Sequence, residues 1–298
     1  MDDVYSEQLD MVSLQEPLRS TLLRALKNGE RTRKLLYGPA FHTAGFNDPA
    51  SLLVITDERW FVILNEESEP YVAQATFDDT LLIELTVIML YGQLKLDFVH
   101  GGASVQVALH FNTVSKSDYF AAVELFLGGM ERSTRPGGKK SELTQGTEKW
   151  PFKFRNIVLE YVPRGRELSS AVHWETIYGG FHREIAPAGA LIATDHELIV
   201  VAEEKARRWE SRSEEDSKYG KIMTYFPLRC LADYQNIEQH SVDILSLEVH
   251  AKHGGEKLEV AIPKGRRQEV EALMEKIKGA ETKASAYSDW GTAKRKTP

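Results

Sequence analysis

The hydrophobic positions of this chain follow two periods in a fixed order. Alternating apolar and polar residues, as in VQVAL at 105–109 and LEVAI at 258–262, predict half-buried β-strands. After each of these segments the apolar spacing changes to three and four residues, over 115–130 and over 263–279, which predicts an amphipathic helix in each place. The predicted fold class is therefore mainly β with α (α+β), with two series of short antiparallel strands that each end in a helix.

The helical segments carry signals for where they begin and end. In the first, Ser117 is a candidate N-cap and Gly128-Gly129 is a candidate stop, because glycine is unfavourable inside a helix and common just after one. The second is expected to end at Gly279. A further short helix is predicted at 18–26, LRSTLLRAL, before the first strands.

Short sequences recur between the two strand series. Thr56-Asp57 and Thr194-Asp195 each lie between apolar β-forming residues. Threonine and aspartate side chains accept local backbone hydrogen bonds, so each pair predicts the turn of a hairpin. Upstream, Gly29-Glu30 has a rough counterpart in Gly165-Arg166-Glu167. These matches indicate an internal duplication.

The tripeptide His-Gly-Gly also occurs twice, at 100–102 and at 253–255. Two interpretations are open: a histidine that acts beside a flexible glycine pair, or the turn of a duplicated hairpin. A catalytic histidine needs a nucleophile or carboxylate within hydrogen-bond reach, and no such residue follows both copies. Because Gly-Gly suits the positive φ values of a tight turn, the sequence favours two hairpin turns with dispensable histidines.

The spacing between matching segments grows along the chain. The Thr-Asp pairs at 56 and 194 are 138 residues apart, whereas the His-Gly-Gly copies at 100 and 253 are 153 apart. This growth predicts one insertion in the second copy, and the charged segment 203–220 is typical of a long loop. Residues 131–150 are rich in Pro, Gly, Ser, Thr and Lys and are predicted to be a linker.

Two strand series with an early Thr-Asp hairpin and a C-terminal helix resemble the bacterial pleckstrin-homology-like (PH-like) domains. The resemblance is carried by 55–59 (ITDER) with 61–63 (FVI), and by 193–195 (ATD) with 198–200 (LIV). It implies a bent antiparallel sheet or partial barrel closed by the helix in each unit, and a role in interaction or anchoring. The second copy departs from the first, with His196-Glu197 in place of Glu58-Arg59. The expected division is an N-terminal extension with a short helix at 1–27, PH-like units at 28–130 and 151–279, the linker at 131–150 and a mobile tail at 280–298.

Basic side chains are the leading candidates for an interaction site. The predicted loop carries an aromatic residue among arginines, and these residue types are enriched at binding hot spots. A second group opens the final helix, where a PH-like fold could present it to a phosphate or an anionic lipid. The candidate residues are Arg207, Arg208, Trp209 and Arg212 in the loop, and Lys264, Arg266 and Arg267 at the helix. A third basic group, Arg31, Arg33 and Lys34, follows the first turn.

Metal and cofactor sites are not expected. His250 and His253 are three residues apart at a strand end, so they point to opposite faces and do not form a ligand pair. The adjacent acids Asp78-Asp79 and Glu66-Glu67 are interpreted as solvated surface rather than as a Mg²⁺ site. The chain has no P-loop, no G-x-G-x-x-G and no G-x-S-x-G motif.

Composition narrows the class of protein. With 42% hydrophobic and 27% charged residues, the 298-residue chain has the balance of a globular protein. A net charge of -7 argues against nucleic-acid binding, the single cysteine excludes an internal disulfide framework, and no segment is apolar enough to span a bilayer. We therefore expect a cytoplasmic, non-enzymatic interaction or scaffolding protein with a protein partner. The alternatives are a small-molecule binder or enzyme with a pocket between the units, and a peripheral binder of anionic membranes.

Overall fold

The computed structural model describes residues 14, 16–43, 46–66, 69–131, 147–179, 184–203 and 220–279. The fold is mixed α and β with several antiparallel sheets, and none of them closes into a barrel in this part of the chain. The predicted α+β class is therefore confirmed.

The first half, residues 14–131, contains α1 (Leu18–Ala25), β1 (Thr32–Gly38), β2 (Phe41–Thr43), β3 (Phe46–Asp48), β4 (Ser51–Thr56), β5 (Arg59–Leu64), β6 (Tyr71–Thr76), β7 (Thr80–Ile88), β8 (Tyr91–His100), β9 (Ala103–Asn112) and α2 (Lys116–Met130).

The second half, residues 147–279, has the same element order. Its elements are α3 (Phe152–Tyr161), β10 (Leu168–Trp174), β11 (Ile177–Tyr178), β12 (Glu184–Ala186), β13 (Gly189–Thr194), β14 (Glu197–Glu203), β15 (Lys221–Pro227), β16 (Leu231–Glu238), β17 (Asp243–Ala251), β18 (Gly254–Ile262) and a helix α4 over 267–279. Short 3-10 turns also correspond, Phe77–Asp79 with Leu228–Cys230 and Thr113–Ser115 with Lys264–Arg266. Helix α3 corresponds to α1 and was not anticipated from the sequence pattern.

The sheets of the two halves join through one strand pair. The first half forms a four-stranded sheet, β1-β4-β5-β6, and a three-stranded meander, β7-β8-β9. The second half forms the equivalent β10-β13-β14-β15 and β16-β17-β18. Strand β15 pairs antiparallel with β7, with Lys221 opposite Val87 and Tyr225 opposite Ile83, so seven strands from both halves make one sheet. The halves are thus held together by main-chain hydrogen bonds as well as by side chains.

The core is continuous across this junction. One cluster of buried side chains includes Trp60 and Phe126 from the first half and Tyr225 and Met274 from the second. A separate small cluster lies on the other face of β4 and β5, where Leu18 and other residues of α1 cover the sheet. Both faces of β4 and β5 are therefore buried, which explains their unbroken apolar sequence. No helix in the described residues is long and apolar enough to cross a membrane.

The His-Gly-Gly copies do not occupy equivalent positions. In the first hairpin the turn is Gly101-Gly102, with φ values of 60° and 83°, so the turn predicted there is confirmed. In the second, the turn is Lys252-His253, and Gly254-Gly255 begin β18. The equivalent strands β7 and β16 begin at Thr80 and Leu231, 151 residues apart rather than 153. The prediction that Gly254-Gly255 form a turn is therefore wrong.

Close packing explains why glycine stands at Gly254 and Gly255. A Cβ atom on Gly255 would lie 2.4 Å from the ring of His250, and one on Gly254 would lie 3.1 Å from Val99 of the first half. The second hairpin packs against the first half, where the N–H of Lys252 donates to the carbonyl of Asp78 at 2.9 Å. The lack of a side chain at Gly254 therefore allows the second hairpin to approach Val99 of the first half closely.

Helix α2 continues through the glycine pair that the sequence predicts as its end. It runs from Lys116 to Met130 and includes Gly128 and Gly129. A Cβ on Gly129 would lie 2.6 Å from the ring of Phe77, so glycine at this position lets the aromatic ring lie against the helix. The predicted stop at Gly128-Gly129 is wrong because a tertiary contact outweighs the low helix propensity of glycine.

Candidate functional site

A buried ion pair stands beside the Thr56 turn of the first half. Arg59 begins β5 and its guanidinium contacts Glu30 through two hydrogen bonds, from Nε to Oε1 at 2.8 Å and from Nη2 to Oε2 at 2.7 Å. Glu30 also accepts from the Thr56 hydroxyl at 2.9 Å and from the Lys27 N–H at 3.0 Å. The side chains of Arg59 and Glu30 are only 11% and 4% exposed. Both charges are therefore buried and well hydrogen-bonded.

The second half has an arginine at the corresponding place that contacts two carboxylates. Arg166 Nε lies 2.7 Å from Glu197 Oε1, and Arg166 Nη2 donates to Glu131 Oε2 at 2.7 Å. The other oxygen of Glu197 accepts from the Thr194 hydroxyl at 2.6 Å. Glu131 directly follows α2, so this cluster connects the first half to a turn of the second. We call Glu131, Arg166, Glu197 and His196 the junction cluster.

The two buried ion pairs occupy equivalent places in the two halves, but the acidic and the basic residue are exchanged. Gly29 and Gly165 both have positive φ, of 83° and 77°, and each precedes one member of the pair. In each half the hydroxyl of the turn threonine accepts hydrogen bonds from the backbone N–H groups two and three residues later in the chain. In the first half a glutamate follows the glycine and an arginine begins β5. In the second half an arginine follows the glycine and a glutamate begins β14. The matched positions are Glu30 with Arg166 and Arg59 with Glu197.

The junction cluster leaves two carboxylate oxygens without a hydrogen-bond donor among the described residues, Glu131 Oε1 and Glu197 Oε1. The contact from Arg166 Nε to Glu197 is therefore an ion pair without a directed hydrogen bond. On the outer side, His196 Nδ1 lies 3.5 Å from Glu131 Oε2 and His196 Nε2 lies 3.3 Å from Asp195 Oδ2. Two carboxylates share one guanidinium, with a half-exposed imidazole beside them.

The two buried glutamates differ in acidity. The hydrogen bonds from Arg59 lower the pKa of Glu30 to about 2. Burial raises the pKa of Glu197 to about 7, and the hydrogen bond from Thr194 and the charge of Arg166 offset this only in part. The nearby carboxylates of Glu131 and Asp195 add to the increase.

A carboxyl group with a pKa near 7 is a candidate general acid or base. Such a group must come within about 3 Å of a substrate atom to transfer a proton. The Glu197 side chain is fully buried between Arg166 and Thr194, which leaves no exposed surface for a substrate to contact. The geometry therefore favours a joint between the halves over a catalytic site. Glu131, assigned to the linker from its sequence surroundings, is a buried part of this joint.

The structure places the basic group predicted at the final helix in local ion pairs. Lys264 and Arg266 lie in the 3-10 turn before α4, and Arg267 is the first residue of α4. Each has a carboxylate partner within the second half, which reduces the charge available to a phosphate. The pairs are Lys264 with Glu238 (2.9 Å), Arg266 with Glu269 (2.5 Å) and Arg267 with Glu271 (2.9 Å).

The loop candidates Arg207, Arg208, Trp209 and Arg212 lie outside the described residues. The segment that contains them connects β14 to β15. Its position agrees with the predicted insertion, because the offset between the halves rises from 138 at Arg59 and Glu197 to 151 at Thr80 and Leu231.

Arg33, Lys34 and His253, which the sequence also singled out, each contact a carboxylate. Arg33 forms an ion pair with Asp57, and Lys34 Nζ donates to Asp118 Oδ1 at 2.6 Å. His253 Nδ1 lies 2.5 Å from Asp79 Oδ1, a contact between the two halves. Within the described ranges, no group of three or more His, Cys, Asp or Glu side chains is placed to hold a metal ion.

An apolar surface patch lies at one end of the seven-stranded sheet. The turn between β7 and β8 exposes Met89 (65%) and Leu90 (71%), and the adjacent 3-10 turn exposes Val114 (85%). Thr113 fixes these turns together, because its N–H donates to the Leu90 carbonyl at 3.1 Å and its hydroxyl donates to the Met89 carbonyl at 2.7 Å. We call Met89, Leu90 and Val114 the apolar patch; hydropathy alone did not identify it.

Comparison of the chain with protein-family models and with curated proteins finds no match.

Proposed function

We propose that the chain is a non-enzymatic interaction or scaffolding protein built from two tandem PH-like units, with a cytoplasmic location as part of the proposal. Support comes from the element order of each half: a four-stranded sheet, a three-stranded meander and a C-terminal helix, in both cases. This order agrees with the resemblance carried by the Thr-Asp hairpins. The buried charges form ion pairs that hold the protein together, which suits a scaffold.

The apolar patch is the observation that carries the proposal. Three large apolar side chains exposed on two hydrogen-bonded turns cost solvation free energy unless a partner covers them. Met89 is also the only residue other than glycine with positive φ among the described residues, at 47°, a conformation that a bulky side chain seldom adopts. Hydrogen bonds from Thr113 keep the turn in place. A rigid, exposed apolar turn is a suitable anchor for a protein partner.

The test replaces two patch residues and compares captured proteins. Full-length protein carrying Leu90→Glu and Val114→Glu is immobilised beside the unchanged protein, and proteins retained from an extract of the native cell are identified by mass spectrometry. We expect at least one protein that the unchanged chain retains and the double variant loses, because a charge cannot enter an apolar contact without a large desolvation cost.

A matched variant separates this effect from a general loss of apolar surface. Leu23 on α1 is 58% exposed, so Leu23→Glu makes the same chemical change on another element and should leave the captured set unchanged. Thermal melts of all three proteins should agree, because every altered side chain is exposed. An identical captured set for the patch variant and the unchanged protein would exclude the patch as the binding surface.

The membrane alternative receives less support from the described residues. Lys264, Arg266 and Arg267 each have a carboxylate partner, so this group offers little net positive charge to anionic lipid. The pocket alternative requires a cleft between the halves. Strand β15 pairs with β7 at this boundary and the core continues across it, so the boundary is packed there.

A further inference from the structure

Strands β15 and β7 join the two halves, and the two strands equivalent to them are not paired with each other. Strand β15 is the last strand of the four-stranded sheet in the second half, and β7 is the first strand of the meander in the first half. By the element order of the halves, the strand equivalent to β15 is β6, and the strand equivalent to β7 is β16. Both β6 and β16 are edge strands, each paired on one side only within the described residues.

Register can be transferred from the existing pair to the unused one. The 3-10 turns that follow β6 and β15, at 77–79 and 228–230, set the equivalence of these strands, and β7 and β16 follow the same turns. Ile222 of β15 stands opposite Thr86 of β7. The equivalent residues, 151 positions away in each case, are Tyr71 of β6 and Ile237 of β16.

The transferred register places exposed apolar residues together. Tyr71 is 47% exposed and Ile237 is 38% exposed, and both are large side chains on edge strands. As direct cross-strand neighbours, an aromatic and a β-branched residue form a favourable pair. The next pairs in the same register would be Val72 with Asn236, Ala73 with Gln235 and Gln74 with Tyr234. None of these pairs opposes like charges.

The stretches of the two edges that would overlap lack the charged residues and prolines that commonly protect an edge strand, and the acids Asp233 and Glu238 and the irregular pairing of β16 lie outside its stretch. Within the overlapping stretches, 71–74 (YVAQ) and 234–237 (YQNI), there is no lysine, no other charged residue and no proline. Both strands are also held in position. Ala73 and Ala75 of β6 are in the main core, and Leu231 of β16 is buried in it, so pairing requires little further ordering.

From these observations we propose that the protein associates with further copies of itself, head to tail, by pairing β6 of one copy with β16 of the next. The contact repeats between chains the junction that β15 and β7 make within the chain. Because two different surfaces meet, the contact is heterologous, and successive copies form a closed ring or an open filament. This inference uses strand order, register, edge sequence and burial, and it stands independently of the proposed scaffold function.

The test joins two variants of the full chain by a short thiol crosslinker. One protein carries Tyr71→Cys and the other carries Ile237→Cys. The single native cysteine, Cys230, is buried at 4% exposure and does not compete. Head-to-tail pairing predicts a covalent dimer when the two proteins are mixed and little crosslinking when either is treated alone. Efficient crosslinking of Tyr71→Cys protein to itself would show a two-fold contact and overturn the proposal.

Sedimentation measurements give a second readout that does not depend on cysteine chemistry. The unchanged protein should sediment faster as its concentration rises, and Tyr71→Lys or Ile237→Lys should raise the dissociation constant about ten-fold or more, since 1.4 kcal/mol is a factor of ten. The Tyr71→Lys, Ile237→Glu double variant should recover association by placing opposite charges across each contact. A Leu23→Lys control, which places the same charge on the exposed surface of α1, should associate normally. A monomer at all concentrations, or association unaffected at Tyr71 and Ile237, would also overturn the proposal.

Discussion

Glu30 and Glu197 are buried glutamates of matched ion pairs, and their surroundings give them opposite acidities. Glu30 accepts four hydrogen bonds and has an arginine to itself. Glu197 accepts a side-chain hydrogen bond from Thr194 and shares its arginine with Glu131. Burial is the largest cause of the raised pKa of Glu197, and the hydrogen bond from Thr194 and the charge of Arg166 offset it only in part. At Glu30 the hydrogen bonds from Arg59 outweigh burial and lower the pKa. The direction of each pKa shift therefore depends on whether burial or the favourable partners prevail.

The two pairs consequently respond to pH in opposite directions. The pKa of Glu30 is lowered from 4.5 to about 2, so its contribution to stability is fully present above pH 4.5 and is lost as the pH falls toward 2. The pKa of Glu197 is raised from 4.5 to about 7, so its contribution is fully present below pH 4.5 and is lost as the pH rises through 7. The buried glutamate of the first pair favours ionisation, and the buried glutamate of the second pair favours protonation.

The largest expected effect comes from removing the arginine of the first pair. Arg59→Met leaves Glu30 buried without its cation, and it also removes the hydrogen bonds to Gln74 and to the Ala25 carbonyl. Breaking a buried pair in this way costs about 3–5 kcal/mol. Urea unfolding at pH 7 measures the change, and the exposed arginine of the Arg33–Asp57 pair gives the control: Arg33→Met should cost less than about 1 kcal/mol. Equal losses would show that burial does not distinguish the two pairs.

The second-largest expected effect is a change in how the unfolding free energy depends on pH. The raised pKa of Glu197 predicts that the unfolding free energy of the unchanged protein declines between pH 4.5 and pH 7, and Glu197→Gln should lose this decline because it removes the titrating group. The amount is at most about 3 kcal/mol, from 1.36 kcal/mol per pKa unit. Unfolding curves collected across this pH range measure it.

Glu131→Gln sharpens the same measurement. Without the charge of Glu131, the pKa of Glu197 should fall, and the decline in stability should move to lower pH without disappearing. Identical pH profiles for the unchanged protein and Glu197→Gln would mean that Glu197 does not titrate in this range.

The smallest effect distinguishes the histidines of the two hairpins. His253→Ala removes the contact with Asp79 between the halves, and an exposed pair of this kind contributes about 0.5 kcal/mol. His100 is exposed at a turn of the first half, so His100→Ala should leave the melting temperature unchanged within error. Paired thermal melts at pH 6 compare the two. A larger loss for His100→Ala than for His253→Ala would contradict the placement of the second hairpin against the first half.

The local signals in the sequence were informative where a short segment determines its own structure. The Thr56 and Thr194 turns form because each threonine hydroxyl accepts nearby N–H groups, as the Thr-Asp pattern predicts. The helix predicted at 18–26 is present at 18–25. Gly29-Glu30 and Gly165-Arg166-Glu167 were matched as landmarks, and Gly29 and Gly165 both have positive φ, although the charged residues beside them were not recognised as members of buried pairs.

Features that depend on distant residues could not be obtained in this way. Repeated letters located the second hairpin but misplaced its turn by two residues, because Gly254 and Gly255 are required by contacts with Val99 and His250. The buried role of Glu131 depends on Arg166, which lies 35 residues later in the chain. The apolar patch depends on which turns the sheet brings together, and the pairing of β15 with β7 leaves no local signal.

The junction of β15 with β7 also has a consequence during synthesis of the chain. Ile83 and Tyr225 are opposite each other in the sheet, yet about 140 residues separate them. At roughly 5–20 residues per second, a ribosome needs on the order of 10–30 s to make that stretch. For this time the first half has all its own strands, while the edge of β7 is without its neighbour. The nascent protein therefore passes through a stage with an open apolar edge, which ends only when its second half has been made.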